Sequence, residues 1–416
     1  MFPQNLKDDL DHCFKCGMCQ QVCPTFKVMR REYYTPRGRV QIIKHYLERD
    51  LELTPELSRL IMSCMLCDAC ASLCPSGVRI DRLFRLMRVE MDHRAPKTLG
   101  KKLLISILKN GDRLRKAALL SRIGQRLLVD VFRTDAKIGA IPLARFPRIA
   151  KETFRNKNKE NITPARKRSG SVVYFTGCAT DLIYHDVGDA VLRVLSQLGL
   201  EVIIPRGLVC CSAPLFLSGA VESSLPNIFK NLDILDGVDA DAIVVDCATC
   251  GAALKKGIPE LLEDLGLDTE KAKRVANKVK DVSQIVSERI EELPILRNTT
   301  DQQLVVTYHD PCHLVRGMGV TLEPRTILSG IDGIKFVEME GSNECCGGAG
   351  SYQFENVDIS SGVTSRKTNN IKATGANIVA TGCPGCRLTL TGNMSADDNI
   401  DVLHTVQLVS RFMTNQ

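Results

Sequence analysis

The spacing of apolar residues divides the chain into regions of different secondary structure. In the first 95 residues, Val40, Ile43 and Leu47 recur at helical spacing, and Thr54-Pro55-Glu56 supplies an N-cap ahead of a second apolar stripe. Beyond residue 168, short β-branched runs alternate with helical patterns such as residues 191–198, which is typical of α/β units. The pattern therefore predicts a helical front region and α/β domains behind it.

Between these regions, an amphipathic segment carries a strong positive charge. Residues 97–168 contain 20 Lys and Arg against 5 Asp and Glu, a net charge of +15, whereas the whole chain is +7. One or two amphipathic helices are predicted on the apolar positions Leu103, Leu104, Ile107, Leu108, Leu114, Leu119, Leu120, Ile123, Leu127 and Leu128. Such helices could pack on neighbouring domains, hold an acidic partner or lie on an anionic membrane surface. Residues 151–170 are polar and are predicted to be a mobile linker.

The composition limits the classes of protein to which this chain can belong. The 416 residues are 44% hydrophobic and 25% charged, as in ordinary globular proteins. No stretch has the roughly 20 apolar residues of a membrane helix, and the first residues lack the pattern of a signal peptide. We therefore expect a cytoplasmic protein, with peripheral contact at the inner face of the membrane left open. No nucleic-acid-binding motif accompanies the basic segment, so no nucleic-acid partner is expected.

Cysteine is the exceptional residue type, because all 18 cysteines occur in groups. A cytoplasmic chain is kept reduced, so grouped thiols indicate metal ligands or catalytic groups. The first eight form two C-x2-C-x2-C-x3-C-P motifs, which is the ligand pattern of bacterial 4Fe-4S clusters. In that pattern three thiolates hold one cubane, and the fourth, before proline, binds the other.

The two front motifs therefore predict two 4Fe-4S clusters. Cluster I is expected on Cys13, Cys16, Cys19 and Cys74, and cluster II on Cys64, Cys67, Cys70 and Cys23. Zinc is the alternative, but zinc usually takes two separated C-x2-C pairs. Arg37 and Arg39 could stabilise the cluster charge, dock a partner or simply begin a solvated helix.

The other ten cysteines form an internal repeat. The first copy contains Cys178, Cys210, Cys211, Cys247 and Cys250, and the second contains Cys312, Cys345, Cys346, Cys383 and Cys386. Offsets of 134 to 136 residues between equivalent cysteines indicate a duplication. Each cysteine group follows a β-branched run, at residues 171–175, 201–204, 242–245, 304–308, 334–337 and 377–380. Ligands bind at the carboxyl ends of parallel strands, so five thiols are expected at one edge of each copy.

Five thiols per copy favour cluster binding over two alternatives, a redox dithiol and simple core packing. His309 and His313 flank Cys312 and could tune a cluster or cap the strand end. His185 and His404 are expected to be structural. No G-x-G-x-x-G motif opens a helix after a strand, so no dinucleotide site is expected.

The motifs of the second copy carry a family resemblance. His309-Asp310-Pro311-Cys312-His313-Leu314 and Cys345-Cys346-Gly347-Gly348-Ala349-Gly350 resemble the cysteine-rich CCG domain of heterodisulfide reductase catalytic subunits, which holds non-cubane 4Fe-4S clusters. The whole layout is similar to the iron–sulfur subunit of glycolate oxidase and its relatives in D-lactate and anaerobic glycerol-3-phosphate dehydrogenases. The front resembles the helical ferredoxin module of succinate dehydrogenase iron–sulfur subunits. One departure is Ser212, which follows Cys210-Cys211 in place of glycine.

The resemblance implies a multidomain organisation. It consists of an all-α two-cluster ferredoxin domain (residues 1–95), a basic helical connector (96–168) and duplicated α/β cysteine-rich domains, copy 1 (169–300) and copy 2 (301–416). The cofactors implied are two 4Fe-4S clusters and one or two further non-cubane 4Fe-4S clusters on the ten rear cysteines.

The implied function is electron transfer, with no catalytic residue on this chain. A partner subunit would carry FAD and oxidise glycolate or D-lactate, and electrons would pass to an acceptor such as quinone. The first alternative is a heterodisulfide-reductase-like subunit that catalyses thiol/disulfide chemistry at a non-cubane cluster. The second is a non-redox scaffold that binds zinc or iron.

Overall fold

The described part of the front region forms short helices. The computed structural model describes residues 8, 10–94, 97, 99–127, 137–139, 141–295 and 303–414. Helices α1 to α6 cover Met18–Gln21, Pro24–Met29, Pro36–Leu47, Pro55–Met62, Ala69–Ser72 and Ile80–Arg94, with a 3-10 turn at Glu32–Tyr34. Thr35 and Thr54 cap α3 and α4, because each hydroxyl accepts a backbone N–H and proline follows at the first helical position. The helix start predicted at Thr54 is confirmed.

The connector begins as a helical hairpin. Helices α7 (Leu99–Leu108) and α8 (Gly111–Gln125) flank Asn110, whose side chain caps α8. Ile105 packs against Leu215 and Ala220 of copy 1. Strands β1 (Lys137–Ile138) and β2 (Ile141–Pro142) follow, with a 3-10 turn at Leu143–Arg145 that contacts copy 2 through Arg145. Of the predicted apolar positions, Leu128 lies outside the described residues.

The linker predicted over residues 151–170 is wrong, because this segment is folded onto copy 1. It contains helix α9 (Phe154–Lys157) and strand β3 (Asn161–Ile162). Phe154 is fully buried and meets Tyr174 edge to face. Arg155 donates to the Asp181 carboxylate at 2.6 Å. A single aromatic anchor and a buried ion pair therefore order a stretch whose average composition is polar.

Copy 1 is a parallel α/β sheet with one antiparallel edge strand. Strands β4 to β7 are Gly170–Tyr174, Leu200–Ile203, Ala242–Val245 and Val279–Asp281. The order is β3-β5-β4-β6-β7, in which β3 runs antiparallel to β5 and Val172 of β4 pairs with Val202 and Ala242. Helices α10 to α17 are Cys178–Leu182, His185–Gln197, Ala213–Phe216, Val221–Asp236, Ala248–Ala252, Ile258–Asp264, Glu270–Lys278 and Val282–Glu288. A π-turn lies at Ala253–Gly257 and a 3-10 turn at Ile290–Glu292.

Copy 2 repeats this topology. Strands β8 to β11 are Leu304–Tyr308, Ile334–Phe336, Ile378–Ala380 and Asp401–Leu403, all parallel in the order β11-β10-β8-β9. Helices α18 to α22 are Glu323–Ser329, Tyr352–Glu355, Val357–Ala373, Pro384–Asn393 and Thr405–Phe412, with a π-turn at Leu314–Met318 and a 3-10 turn at Ala396–Asp398. The six runs predicted as strands are confirmed within about one residue, whereas β7 and β11 were not predicted.

Two apolar clusters each contain residues of both copies, and the copies approach each other closely at glycines. Gly251 in α14 lies against Met318, and Gly317 in the facing π-turn lies against Ala252. A Cβ atom at either glycine would collide with these neighbours. This close approach brings the cysteine-bearing edges of the two sheets together.

Candidate metal centres

Four front thiols line one small cavity. Cys64, Cys67 and Cys70 come from the second motif, and Cys23 comes from the first. These are the four residues expected to hold cluster II, so the structure brings the crossed set together. Of the set expected for cluster I, Cys13 and Cys16 lie near Cys19, and Cys13 and Cys74 pack against the core that contains Cys19.

Both front motifs have the same unusual backbone. The residue before the second cysteine of each motif is left-handed, with φ of 56° at Lys15 and 49° at Leu66. The residue after that cysteine is also left-handed, with φ of 84° at Gly17 and 58° at Asp68. A left-handed leucine is rare, and strain of this kind is concentrated at functional sites. The same left-handed positions in both motifs indicate that the two loops have the same function.

Buried cations surround the cluster II thiols. Burial raises the pKa of Cys64, while the nearby charges of Arg39 and Arg88 act in the opposite direction. Arg39 is almost fully buried, and its guanidinium donates to the Ser63 hydroxyl at 2.7 Å and the Leu60 carbonyl at 3.2 Å. Arg39 is therefore not part of a solvated helix start. It lies where it can offset the negative charge of thiolates.

Arg37 has a different environment from Arg39. It is partly exposed and pairs with Glu32 at 2.6 Å, and its Nη1 donates to the Lys15 carbonyl at 3.0 Å. This contact holds the first cysteine loop. Burial raises the pKa of Cys19 in that loop to about 11, so without a metal this thiol stays protonated at neutral pH.

The ten rear thiols form one continuous series in which each lies close enough to the next to shift its pKa. In spatial order they are Cys178, Cys210, Cys211, Cys250, Cys247, Cys383, Cys386, Cys346, Cys345 and Cys312. The Cys346 and Cys386 sulfurs are 3.2 Å apart. The copies join where Cys247 meets Cys383. Sequence spacing predicted convergence within each copy but contained no sign of this junction.

Copy 2 also contacts the front thiols. Cys67 and Cys345 line a common cavity and share an apolar cluster with Cys312. Arg316 donates to the Cys67 carbonyl at 3.3 Å, and Lys27 pairs with Glu344 at 2.5 Å across the same boundary. The thiol series therefore continues from copy 2 into the cavity expected to hold cluster II.

The opposite end of the series opens into a cavity of about 560 Å³. Cys178 and Cys210 line it on the side of copy 1, and the hairpin turn at Asn110 lines it on the side of the connector. Its cationic lining residues are Lys109, Arg115, Arg155, Arg206 and Lys230. Arg155 is paired with Asp181, whereas Lys109, Arg206 and Lys230 are exposed. This size is typical of small-molecule sites.

Ser212, the departure from the family motif, keeps the loop conformation of copy 2. Its φ is 67°, and the equivalent Gly347 has a φ of 92°. The Ser212 hydroxyl is buried and donates to the Ser224 carbonyl at 3.2 Å. This hydrogen bond compensates for a left-handed conformation that serine otherwise disfavours.

The histidines singled out in the sequence have distinct surroundings. His309 is fully buried beside Cys346 and Cys386. His313 lies 3.1 Å from the Thr249 hydroxyl of copy 1. His404 contacts the Asp246 carbonyl at 3.0 Å and caps α22, and His185 contacts the Asp181 carbonyl at 3.1 Å.

Sequence reasoning missed one buried cation near the copy 2 thiols. Lys367 is 2% exposed, and its Nζ donates to the Gly341 and Ser342 carbonyls. Burial lowers its pKa, and the Cys346 and Cys345 thiols lie close enough to counter that shift. No motif marks this lysine, since its environment depends on where α20 packs.

These donor sets fit iron–sulfur clusters. Thiolates are the ligands that such clusters prefer. The five thiols of each rear copy are mostly buried, whereas the front sets are partly exposed, with Cys16 open to solvent. Charge on the thiolates is partly countered by buried Arg39, Arg88 and Lys367. Among the described residues, no helix is both long and apolar enough to cross a membrane.

Comparison with known proteins agrees with this arrangement. The 4Fe-4S dicluster domain family matches residues 9–78, and the Cysteine-rich domain family matches residues 172–255 and 306–391. Duplicated cysteine-rich domains therefore follow a ferredoxin-like domain.

Similarity to individual proteins extends over nearly the whole chain. The probable glycolate oxidase iron–sulfur subunit of Bacillus subtilis is 30% identical over 92% of this chain and 88% of its own length. The glycolate oxidase iron–sulfur subunit of Escherichia coli is 25% identical over 97% of this chain and 94% of its own length. A component of the dihydromethanophenazine:CoB--CoM heterodisulfide reductase of Methanosarcina acetivorans is 26% identical over 97% of this chain and 94% of its own length. The chain belongs to the family of glycolate oxidase iron–sulfur subunits.

Proposed function

We propose that this chain is the electron-transfer subunit of a flavin-dependent 2-hydroxy acid dehydrogenase. The observation that carries the proposal is the continuous series of thiols from the front cavity through copy 2 to copy 1. A metal site built for structure alone needs no such series. Bound clusters would supply one-electron redox chemistry, and the chain would position them and tune their surroundings.

The residues proposed to hold each centre follow from these groups. Cluster I is proposed on Cys13, Cys16, Cys19 and Cys74, and cluster II on Cys23, Cys64, Cys67 and Cys70. Further, non-cubane clusters are proposed on the five cysteines of each copy. The closeness of Cys67 to Cys345 and of Cys247 to Cys383 supports an order in which copy 2 follows the front region and copy 1 follows copy 2.

A four-part domain organisation accompanies this proposal. We infer an all-α two-cluster ferredoxin domain at residues 1–95, the connector at 96–168, copy 1 at 169–300 and copy 2 at 301–416. The helices α1 to α6 support the all-α description of the front. The two matched cysteine-rich segments fall inside copies 1 and 2.

The oxidation itself is assigned to a partner. Relatives are named as subunits of glycolate oxidase, so the partner is proposed to be a dehydrogenase subunit that carries FAD and oxidises glycolate or D-lactate. This chain would contribute no catalytic residue. Its role is to accept electrons at the front domain, where the front thiols are partly exposed, with Cys16 open to solvent.

The acceptor is proposed to reach copy 1 through the cavity beside Cys178. A quinone gains negative charge as it is reduced, and Lys109, Arg206 and Lys230 would stabilise that charge. The cavity opens beside the connector hairpin. We propose that this hairpin rests on the membrane surface, which would bring a membrane-dissolved quinone to the cavity.

A second candidate function is thiol/disulfide chemistry at copy 1. It is favoured by the similarity to the heterodisulfide reductase component and by the partial exposure of Cys178 at the cavity. Purified protein without a flavoprotein would then reduce a disulfide when given a low-potential electron donor. The electron-transfer proposal expects no such activity above that of a Cys178→Ser variant.

The main proposal is tested by co-expression with the flavin subunit and anaerobic purification. Cys67→Ser, and likewise Cys16→Ser, should lower glycolate- or D-lactate-dependent quinone reduction by roughly tenfold or more, since loss of a ligand disrupts its metal site. Iron and acid-labile sulfide content should fall in parallel, while reduction of the flavin by substrate is retained. Met65→Leu, a buried neighbour of these thiols, is the matched control and should behave as wild type. Full electron transfer in an iron-free preparation would refute the proposal.

A further inference from the structure

Copy 2 contains a buried imidazole that makes no hydrogen bond within the described residues. His309 is 0% exposed, and neither Nδ1 nor Nε2 has a partner of hydrogen-bond geometry. Leaving two buried polar atoms unpaired is costly, and native proteins rarely do so without a functional reason. The Ser342 backbone acts on the ring without reaching that geometry, so the ring is free to interact with a group that the polypeptide does not supply.

The geometry around this ring is that of a metal site. A ring nitrogen of His309, the Cys346 sulfur and the Cys386 sulfur all lie within 4.8 Å of one another. Ligands bonded to one metal ion at about 2.0–2.3 Å fall within such a distance of each other. The two sulfurs are themselves 3.2 Å apart, so the imidazole lies at the edge of the copy 2 thiol group.

Among the residues of copy 1 that the structure describes, no such group is found. The cysteines that follow the first strand of each copy, Cys178 and Cys312, are 134 residues apart, which aligns His309 with Phe175. Phe175 is also 0% exposed and lies one residue beyond β4, as His309 lies one residue beyond β8. The two copies therefore place a phenyl ring and an imidazole at the same buried position.

We propose that a ring nitrogen of His309 contacts the metal centre of copy 2, and that copy 1 lacks this contact because Phe175 occupies the equivalent position. The duplicated domains would then hold two chemically different centres. This inference rests on the proposed function, because it requires a cluster in copy 2. An imidazole in place of an anionic neighbour, or an N–H group that donates to cluster sulfur, raises the reduction potential of a cluster. The clusters of the two copies would therefore have different reduction potentials.

The direct test uses the whole protein labelled with ¹⁵N-histidine, purified anaerobically and reduced. Pulsed EPR of the wild type should show a ¹⁵N hyperfine coupling on one cluster signal. A strong coupling corresponds to a nitrogen bound to iron and a weak one to N–H···S contact, and either supports the proposal. Because this measurement needs no variant, it does not depend on the folding of a mutant.

Three variants then identify which histidine produces the coupling. His309→Phe copies the residue of copy 1 and should abolish the coupling on the cluster that the five cysteines of copy 2 still hold. Iron and sulfide contents measure how much of that cluster remains. Phe175→His should add a second coupling. His185→Gln, in a histidine that contacts the Asp181 carbonyl, is the control and should retain the coupling.

Two outcomes would overturn the inference. The first is a coupling that persists in His309→Phe, and the second is a wild-type protein that is fully loaded with iron but shows no histidine nitrogen. Neither outcome contradicts the electron-transfer proposal. That proposal fails if an iron-free preparation still transfers electrons fully.

Discussion

At the scale of single residues, His404 shows how one buried side chain links the two copies. Its Nε2 is 3.0 Å from the Asp246 carbonyl of copy 1, and its Nδ1 accepts the Val406 N–H in copy 2. An imidazole that donates at one nitrogen and accepts at the other is neutral. Burial lowers the pKa of His404 to about 4, with a further lowering by Arg387 that is opposed by the Asp246 backbone, Cys383 and Asp186.

This pKa predicts acid sensitivity. In the unfolded chain the pKa of histidine is about 6.5, so between about pH 6.5 and 4 the unfolded state binds a proton that the folded state does not. The free energy of unfolding should therefore fall as pH is lowered through this window, by up to about 3 kcal/mol. Calorimetry of wild type and His404→Gln between pH 7.5 and 4 measures the difference.

The variant has no imidazole to protonate, so the gap in unfolding temperature between it and wild type should narrow toward pH 4. The exposed His93→Gln serves as control and should follow the wild-type profile. A gap that does not change with pH would show that His404 does not titrate in this window.

At the scale of elements, the connector hairpin leaves apolar side chains facing solvent. The exposed fractions are 84% for Leu99, 61% for Leu103 and 69% for Leu120, and Leu119, Ile123 and Leu127 are also about half exposed. On each helix these residues recur at spacings of three or four, beside the Lys and Arg residues that make the connector basic. Apolar and cationic side chains on one helical hairpin are typical of contact with an anionic membrane surface.

We expect the protein to co-sediment with vesicles of equal phosphatidylglycerol and phosphatidylcholine, and less with phosphatidylcholine alone. Leu103→Glu with Leu120→Glu should lower the bound fraction roughly tenfold or more, because burial of apolar area and attraction to anionic lipid are both weakened. The control is Leu265→Glu with Leu267→Glu, two leucines after α15 that are 41% and 40% exposed and lie outside the hairpin. Equal losses in both double variants would contradict membrane contact by the hairpin.

At the scale of the whole molecule, charged side chains fix the front domain against copy 1. Arg79, the residue before α6, and Arg85 of α6 pair with Glu260 of α15 at 2.7 and 2.8 Å, and Arg82 pairs with Asp264. Glu260 and Asp264 have side chains only 17% and 8% exposed. Pairs that are this shielded are costly to break, because removal of one partner leaves the other charge desolvated.

Glu260→Gln with Asp264→Asn should therefore loosen the front domain from copy 1. The cost is expected to be about 3 kcal/mol or more, seen as faster amide hydrogen exchange in α6 and α15. Asp236→Asn is the control, since its partner Arg274 is 56% exposed and solvent screens the attraction between the two charges. Unchanged exchange in α6 would show that the apolar contacts alone hold this boundary.

Local features of the fold were predictable because they depend on neighbours in the chain. The caps at Thr35 and Thr54 and the six β-branched runs require only short-range hydrogen bonds and side-chain shape. Strands β7 and β11 were missed because no cysteine group follows them. The linker prediction for residues 151–170 was wrong because average polarity conceals Phe154, whose burial depends on a pocket formed by copy 1.

The sequence by itself determined the chemistry: cysteine spacing specified the kind of ligand sets, and constant offsets revealed the duplication. Only the tertiary structure decided how these sets are connected. Cys247 lies beside Cys383, and Cys67 shares a cavity with Cys345, so residues up to 278 positions apart are brought together. The tertiary structure also leaves the buried ring of His309 without a hydrogen-bond partner among the described residues. Such contacts depend on how whole domains pack, which is set by surfaces assembled from many elements and is not encoded in any local spacing.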